Sequence, residues 1–207
     1  MKLSRSFYDR PTLDVARGLI GKVLVHVRRG VRTSGVIVEV EAYIGESDPA
    51  CHAAPGPTRR NGPLYGAPGH AYVYLNYGIH CLVNVVTEAQ GSPAAVLVRA
   101  LTPLEGIDIM RRRRARAMKG RRRLSAAALA DDDLCRGPGN VTMAMGITLA
   151  ENRVDLSGDR LFVEDRDIHA GPIVWGPRIG IRVGVDRPWR AYAKGCPAVS
   201  KTQGLKP

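Results

Sequence analysis

Glu39 and Glu41 stand two residues apart in the apolar run Gly35-Val-Ile-Val-Glu-Val-Glu-Ala-Tyr43. Side chains two apart in a strand share a face, so both carboxylates point the same way. A carboxylate on such a face can take a proton from a nucleophile as a general base. It can equally belong to a solvated face with cross-strand partners. His52 follows in a Gly/Pro-rich stretch, where a lone ring is either structural or free to stack on a flat ligand. Asn84 and Arg99 are polar residues inside apolar strands. An unpaired polar group there costs a few kcal/mol, so each must meet a specific partner, structural or functional.

Between these residues lies Tyr72-Val-Tyr-Leu-Asn-Tyr-Gly-Ile-His-Cys-Leu-Val-Asn84, which gathers three of the seven tyrosines in a chain that is 5% aromatic. Tyr72 and Tyr74 share a strand face. Asn76-Tyr77-Gly78 predicts a tight turn, because Asn and Gly tolerate left-handed backbone. Tyr77 is then a large ring offered to solvent at a hairpin tip.

Other chemistries find no motif. There is no Gly-x-x-x-x-Gly-Lys loop, no Gly-x-Gly-x-x-Gly after a strand and no Gly-x-Ser-x-Gly elbow. Cys51, Cys81, Cys135 and Cys196 are scattered and match no zinc module, which predicts reduced thiols and no metal. Lys194 lacks a neighbour that would activate its amine; a phosphate or solvent role is expected. Thirty-one Lys and Arg against 19 Asp and Glu give a net charge of +12, which favours a polyanionic partner. Arg59-Arg60 can meet phosphates. The blocks Arg111-Arg-Arg-Arg-Ala-Arg116 and Arg121-Arg-Arg123 predict a solvated helix face adding non-specific affinity at most. No apolar leader and no run of membrane-spanning length occur, so a soluble intracellular protein is expected, of the cytoplasm or nucleoid if bacterial.

The elements that must position these residues follow in order. Apolar spacing predicts a helix over 14–24, then strands over 23–27 and 35–43 and an irregular loop over 45–70. Beyond the tyrosine hairpin come a strand over 94–101 and a helix opening at Pro103. A short helix is predicted over 125–134, ended by Gly137-Pro-Gly139, and another over 143–147. The C-terminal third predicts strands at 161–164, 178–184 and 191–194. Without βαβ alternation, this order gives a mixed α/β (α+β) class: one domain, 1–207, with a curved, largely antiparallel sheet, flanking helices and a protruding β-hairpin.

The set Val38-Glu-Val-Glu-Ala-Tyr43, Asp48-Pro-Ala-Cys-His52, Thr58-Arg-Arg-Asn61, the hairpin from Pro68 to Asn84, Val96-Leu-Val-Arg99, Leu134-Cys-Arg-Gly-Pro-Gly139 and Lys194-Gly-Cys-Pro-Ala-Val-Ser200 resembles the alkyladenine (N-methylpurine) DNA glycosylase family of the mammalian type. The resemblance runs from about Pro11 to Ser200. It implies a cofactor-free, monofunctional hydrolase, expected to be a monomer, that flips alkylated or deaminated purines from double-stranded DNA and cleaves the N-glycosidic bond. Position by position, it implies Glu41 as the base activating water and Arg99 as its support. Tyr43 and His52 contact the extruded base, with Tyr74 on its other face. Asn84 discourages the exocyclic amine of guanine, and Tyr77 intercalates. Arg59, Arg60 and Lys194 are candidates for backbone contact. Asn76 and His80 are polar where familiar members carry more apolar residues, and the long N-terminal tail of mammalian forms is missing, which suggests a minimal catalytic domain. The rival reading, a non-catalytic basic nucleic-acid-binding module, explains charge and tyrosines but leaves Glu41, His52 and Arg99 without a task.

Overall fold

The computed structural model describes residues 1–117 and 129–201. Two short helices, α1 (Arg5–Tyr8) and α2 (Thr12–Leu19), precede the sheet. Strands β1 (Val23–Arg28) and β2 (Val31–Ile44) follow, then β3 (Ala71–Asn76), β4 (His80–Val86) and β5 (Ala94–Glu105). Helices α3 (Ile107–Ala117), α4 (Asp131–Leu134) and α5 (Pro138–Met145) come next, before β6 (Leu161–Glu164), β7 (Ile173–Gly176) and β8 (Arg190–Ala193).

The strands form one sheet in the order β3-β4-β5-β2-β1-β6, with β8 joining β2 and β7 joining β8. Every pair is antiparallel, and the sheet curls into a half-barrel. The expected α+β class holds. Val15 and Leu19 of α2, Val25, Ile37, Val40 and Leu101 are wholly buried and anchor the core. Each such side chain contributes about 1.5–3 kcal/mol relative to an exposed one.

The long β2 is flanked by β5 on one side and by β1, then β8, on the other. Its pairing with β5 shifts register between Ser34 and Gly35 and twice more beside the glutamates, where Ile37 pairs with Leu101, Glu39 with Ala100 and Val40 with Val98. Val38 and Arg99 are thus extra residues of two offsetting bulges. Bulges twist a strand and re-aim side chains, and here one carries Arg99 toward the two glutamates.

Several expectations are corrected. The first helix ends at Leu19, and a turn at left-handed Gly21 feeds Val23 and Leu24 into β1. Pro103 lies in β5, opposite Gly35, and does not open a helix. The break comes at Gly106, whose φ is +73° and where a Cβ would lie 2.7 Å from the Arg32 carbonyl. Gly137-Pro-Gly139 begins α5 rather than ending a helix, with Pro138 in the first turn, where its missing N–H costs nothing. Residues 178–184 form no strand, whereas β7 was not foreseen. The expected helix over 125–134 is described only from residue 129, where α4 spans Asp131–Leu134. Arg121–Arg123 lie outside the described residues.

The first arginine block is a solvated face only at Arg112 and Arg116. Arg114 is buried and donates to the Leu134 carbonyl at 2.8 Å, and Arg113 donates to that of Ala144 at 3.0 Å. Cations at helix C-termini satisfy carbonyls left without intrahelical donors. Arg111 reaches the Leu129 carbonyl and Asp131. These side chains clamp α3 onto α4 and α5.

Candidate active site

A cavity of about 350 Å³ opens beside the hairpin, lined among others by Tyr43, His52, Tyr72, Tyr74, Asn84 and Arg99. The alternation of β3 places Tyr72 and Tyr74 on one face, ring centroids 5.3 Å apart. The loop after β2 returns His52 against them. Its Nδ1 pairs with the Tyr72 hydroxyl at 2.8 Å, and its ring meets Tyr74 edge-on at 4.4 Å. Asn61 holds this loop by donating to the carbonyls of His52 at 2.7 Å and Gly56 at 2.9 Å.

One expectation changes. His52 does not face Tyr74 across a ligand, because a base between two rings needs about 7 Å, twice the contact distance of carbon atoms. At 4.4 Å the two rings form one wall. Tyr43, Tyr72 and Tyr77 are the other aromatic rings of the lining.

Glu41 is wholly buried behind that lining. Its Oε2 accepts from the Tyr43 hydroxyl at 2.8 Å and from Arg99 Nη1 at 3.2 Å, and its Oε1 accepts from the Ile179 amide at 2.6 Å. All three donors line the cavity. An ionised carboxylate offers about four acceptor sites, so about one remains. Glu39, on the same strand face, accepts from Arg99 Nε at 3.3 Å, Arg190 Nη1 at 2.9 Å and the Ser200 amide at 2.9 Å. Two buried carboxylates thus meet two buried guanidiniums.

Burial, then the charge of Arg60, keeps the His52 ring below its ordinary pKa, so it is neutral near pH 7. Burial also raises the phenols, Tyr72 to about 12. Burial followed by the Glu41 charge pushes Tyr43 well above the ordinary tyrosine value. These groups are therefore neutral near pH 7. Asn84, nearly buried, donates to the Tyr72 carbonyl at 3.1 Å.

The profile of the methylpurine-DNA glycosylase family matches residues 6–197. The chain belongs to that family. As a member it is a hydrolase acting on N-glycosyl bonds. A protein of Methanocella arvoryzae is 49% identical over 96% of each chain. Others from Chlorobium phaeobacteroides, 46% identical over 92% of this chain and 91% of its own, and Clostridium acetobutylicum, 45% identical over 97% and 98%, are similar too. All three are provisionally named 3-methyladenine DNA glycosylases.

Around this family site, Tyr77 occupies the tip of the hairpin and is 87% exposed. Asn76 closes the last strand pair with His80, so the loop proper is Tyr77-Gly78-Ile79. The left-handed residues are Tyr77 (φ +48°) and Gly78 (φ +69°), not Asn76. A bulky residue there costs about 1–2 kcal/mol. Arg59 and Arg60 are exposed on the flank behind Tyr74, and the Arg60 guanidinium lies 6.0 Å from that ring's centroid. Lys194 is exposed just beyond β8 and is not part of the cavity lining.

Four contributors escaped the sequence reading: Ile179 through its amide, Arg178, Arg190 and Ser200. Backbone donors leave no residue-type signal, and the segment carrying Ile179 has the apolar alternation of a strand without forming one. Among the described residues, no helix is long and apolar enough to cross a membrane, and no group of His, Cys, Asp or Glu is arranged to hold a metal ion.

Proposed function

We propose that this protein removes alkylated or deaminated purines (the 3-methyladenine, 7-methylguanine, hypoxanthine and ethenoadenine class) from duplex DNA and starts base-excision repair. The observation that carries the reading is Glu41 held by three donors directly behind a ring-lined cavity. A base inside a duplex cannot reach a cavity, so its nucleotide must leave the stack, at a cost of a few kcal/mol. Tyr77 fills the gap. The extruded base lies between Tyr43 and the His52–Tyr74 wall, where stacking contributes about 1–3 kcal/mol per face. Asn84 discourages the exocyclic amine of guanine, which disfavours undamaged guanine in the pocket.

Glu41 uses its remaining acceptor site to orient a water and take its proton as the water attacks the anomeric carbon. Its negative charge also stabilises oxocarbenium character there. Arg99 and the Ile179 amide fix the carboxylate in that pose. The reaction is a single displacement that leaves an abasic site, without a Schiff base. Arg59, Arg60 and Lys194 meet the DNA backbone, and the protein acts as a monomer without a cofactor, its fold a single catalytic domain over 1–207.

A panel of duplexes, each with one lesion, assayed for base release tests this. Release from the damaged purines, with no borohydride-trapped adduct, is the expected result. No release from any of them, together with tighter binding of single-stranded RNA than of lesion duplex, would favour a binding module instead.

A further inference from the structure

Segment 177–187 carries the Ile179 amide to Glu41 yet belongs to no strand or helix. We propose that the buried Arg178–Asp48 pair is a positioning device that locks this segment and the His52 loop to β2, setting the pose of Glu41. The inference rests on the role of Glu41 proposed above.

Both side chains are fully buried. Arg178 Nη1 donates to Asp48 Oδ2 at 2.6 Å and Nη2 to Oδ1 at 2.8 Å, a bidentate clasp. The same guanidinium donates to the Ala42 carbonyl at 3.1 Å and the Gly184 carbonyl at 3.2 Å. Ala42 lies between Glu41 and Tyr43, Ile179 follows Arg178, and Gly184 lies further along the same segment. Asp48 accepts in turn from the amides of Ile44 at 3.3 Å and Ala50 at 3.2 Å, four and two residues before and after it, at the root of the loop that bears His52. The guanidinium carbon also sits 4.7 Å from the Tyr43 ring centroid, although Arg178 is not itself part of the cavity lining. One cation therefore touches the strand, the loop and the segment that build three sides of the site.

A buried ion pair is an inefficient way to stabilise a fold, because desolvation offsets the attraction and apolar residues of the same volume do as well. What it supplies is geometry. A bidentate Arg fork fixes the plane and direction of a carboxylate more tightly than a point charge does. Burial works against the charged form of Asp48, but the hydrogen bonds and charge of Arg178 hold its carboxyl below the usual range. The clasp is thus permanently charged at working pH, and one that cannot slip keeps the Ile179 amide on Glu41 while DNA enters.

Two measurements on the full chain decide it. In Arg178→Lys, hydrogen exchange at the Ile179 amide should accelerate at least roughly tenfold, the loss of about one hydrogen bond, while core amides of β2 and β5 keep their protection. Single-turnover base release at saturating protein should fall by roughly the same factor with lesion-duplex affinity held within about threefold. Asp48→Asn, which keeps the shape of the carboxylate, should repeat both results. Unchanged exchange at Ile179, or a rate that falls only in step with affinity, overturns the proposal. So does loss of the native amide spectrum in both variants, which would make the pair a folding requirement. If the wild type released no base, the role of Glu41 would fail, and the exchange measurement would still decide the clasp.

Discussion

Arg99 reaches from β5 to Glu41 on β2, its Nη1 3.2 Å from the carboxylate, while its Nε turns to Glu39 at 3.3 Å. One guanidinium thus serves two buried acids. Removing it leaves Glu41 without a cation and Glu39 with Arg190 alone. Arg99→Ala should destabilise the protein by about 3–5 kcal/mol, a fall in Tm of the order of 10 °C for a chain of this size. Calorimetry of the variant checks this. A fall of only one or two degrees would mean that Arg190 on Glu39, and the Tyr43 hydroxyl and Ile179 amide on Glu41, suffice to hold the two acids.

The His52 ring stays neutral because burial and then the charge of Arg60 oppose its protonation. An unfolded histidine takes a proton near pH 6.5. The unfolded chain therefore binds more protons as pH falls below that value, and stability drops through the folded pKa. Thermal melts between pH 7.5 and 5 should steepen below about 6.5 in the wild type and flatten in part in His52→Gln. His26, buried and lowered in the same direction, accounts for the remainder. Identical pH slopes in the two proteins would contradict the assignment.

Tyr77 combines 87% exposure with a left-handed backbone. Tyr77→Gly should therefore leave stability unchanged or raise it by up to about 1 kcal/mol, while lesion-duplex capture falls roughly tenfold through lost stacking. Melting and binding assays on the same sample would separate the effects. If capture survived, the ring would not be the wedge.

Much of this arrangement was legible beforehand, for identifiable reasons. The period of two in β2 and β3 put Glu39 with Glu41 and Tyr72 with Tyr74 on common faces. Turn chemistry located the hairpin tip. The side of the cavity on which His52 stands depends on how a long loop returns, which no local pattern encodes, so its placement opposite Tyr74 was wrong. The bulges at Val38 and Arg99 break alternation without a Gly or Pro to announce them. The arginines of α3 looked like a solvated face because their acceptors are backbone carbonyls contributed by α4 and α5 and the turn before α4.

The central claim is that Glu41 activates the attacking water, and Glu41→Gln tests it most directly. The amide keeps the size and most of the contacts of the side chain but cannot take the proton. Single-turnover base release from a hypoxanthine duplex should fall by at least about 10²-fold, the usual range for loss of a general base, with lesion-duplex affinity within a few-fold of wild type. Release at the wild-type rate would contradict the account.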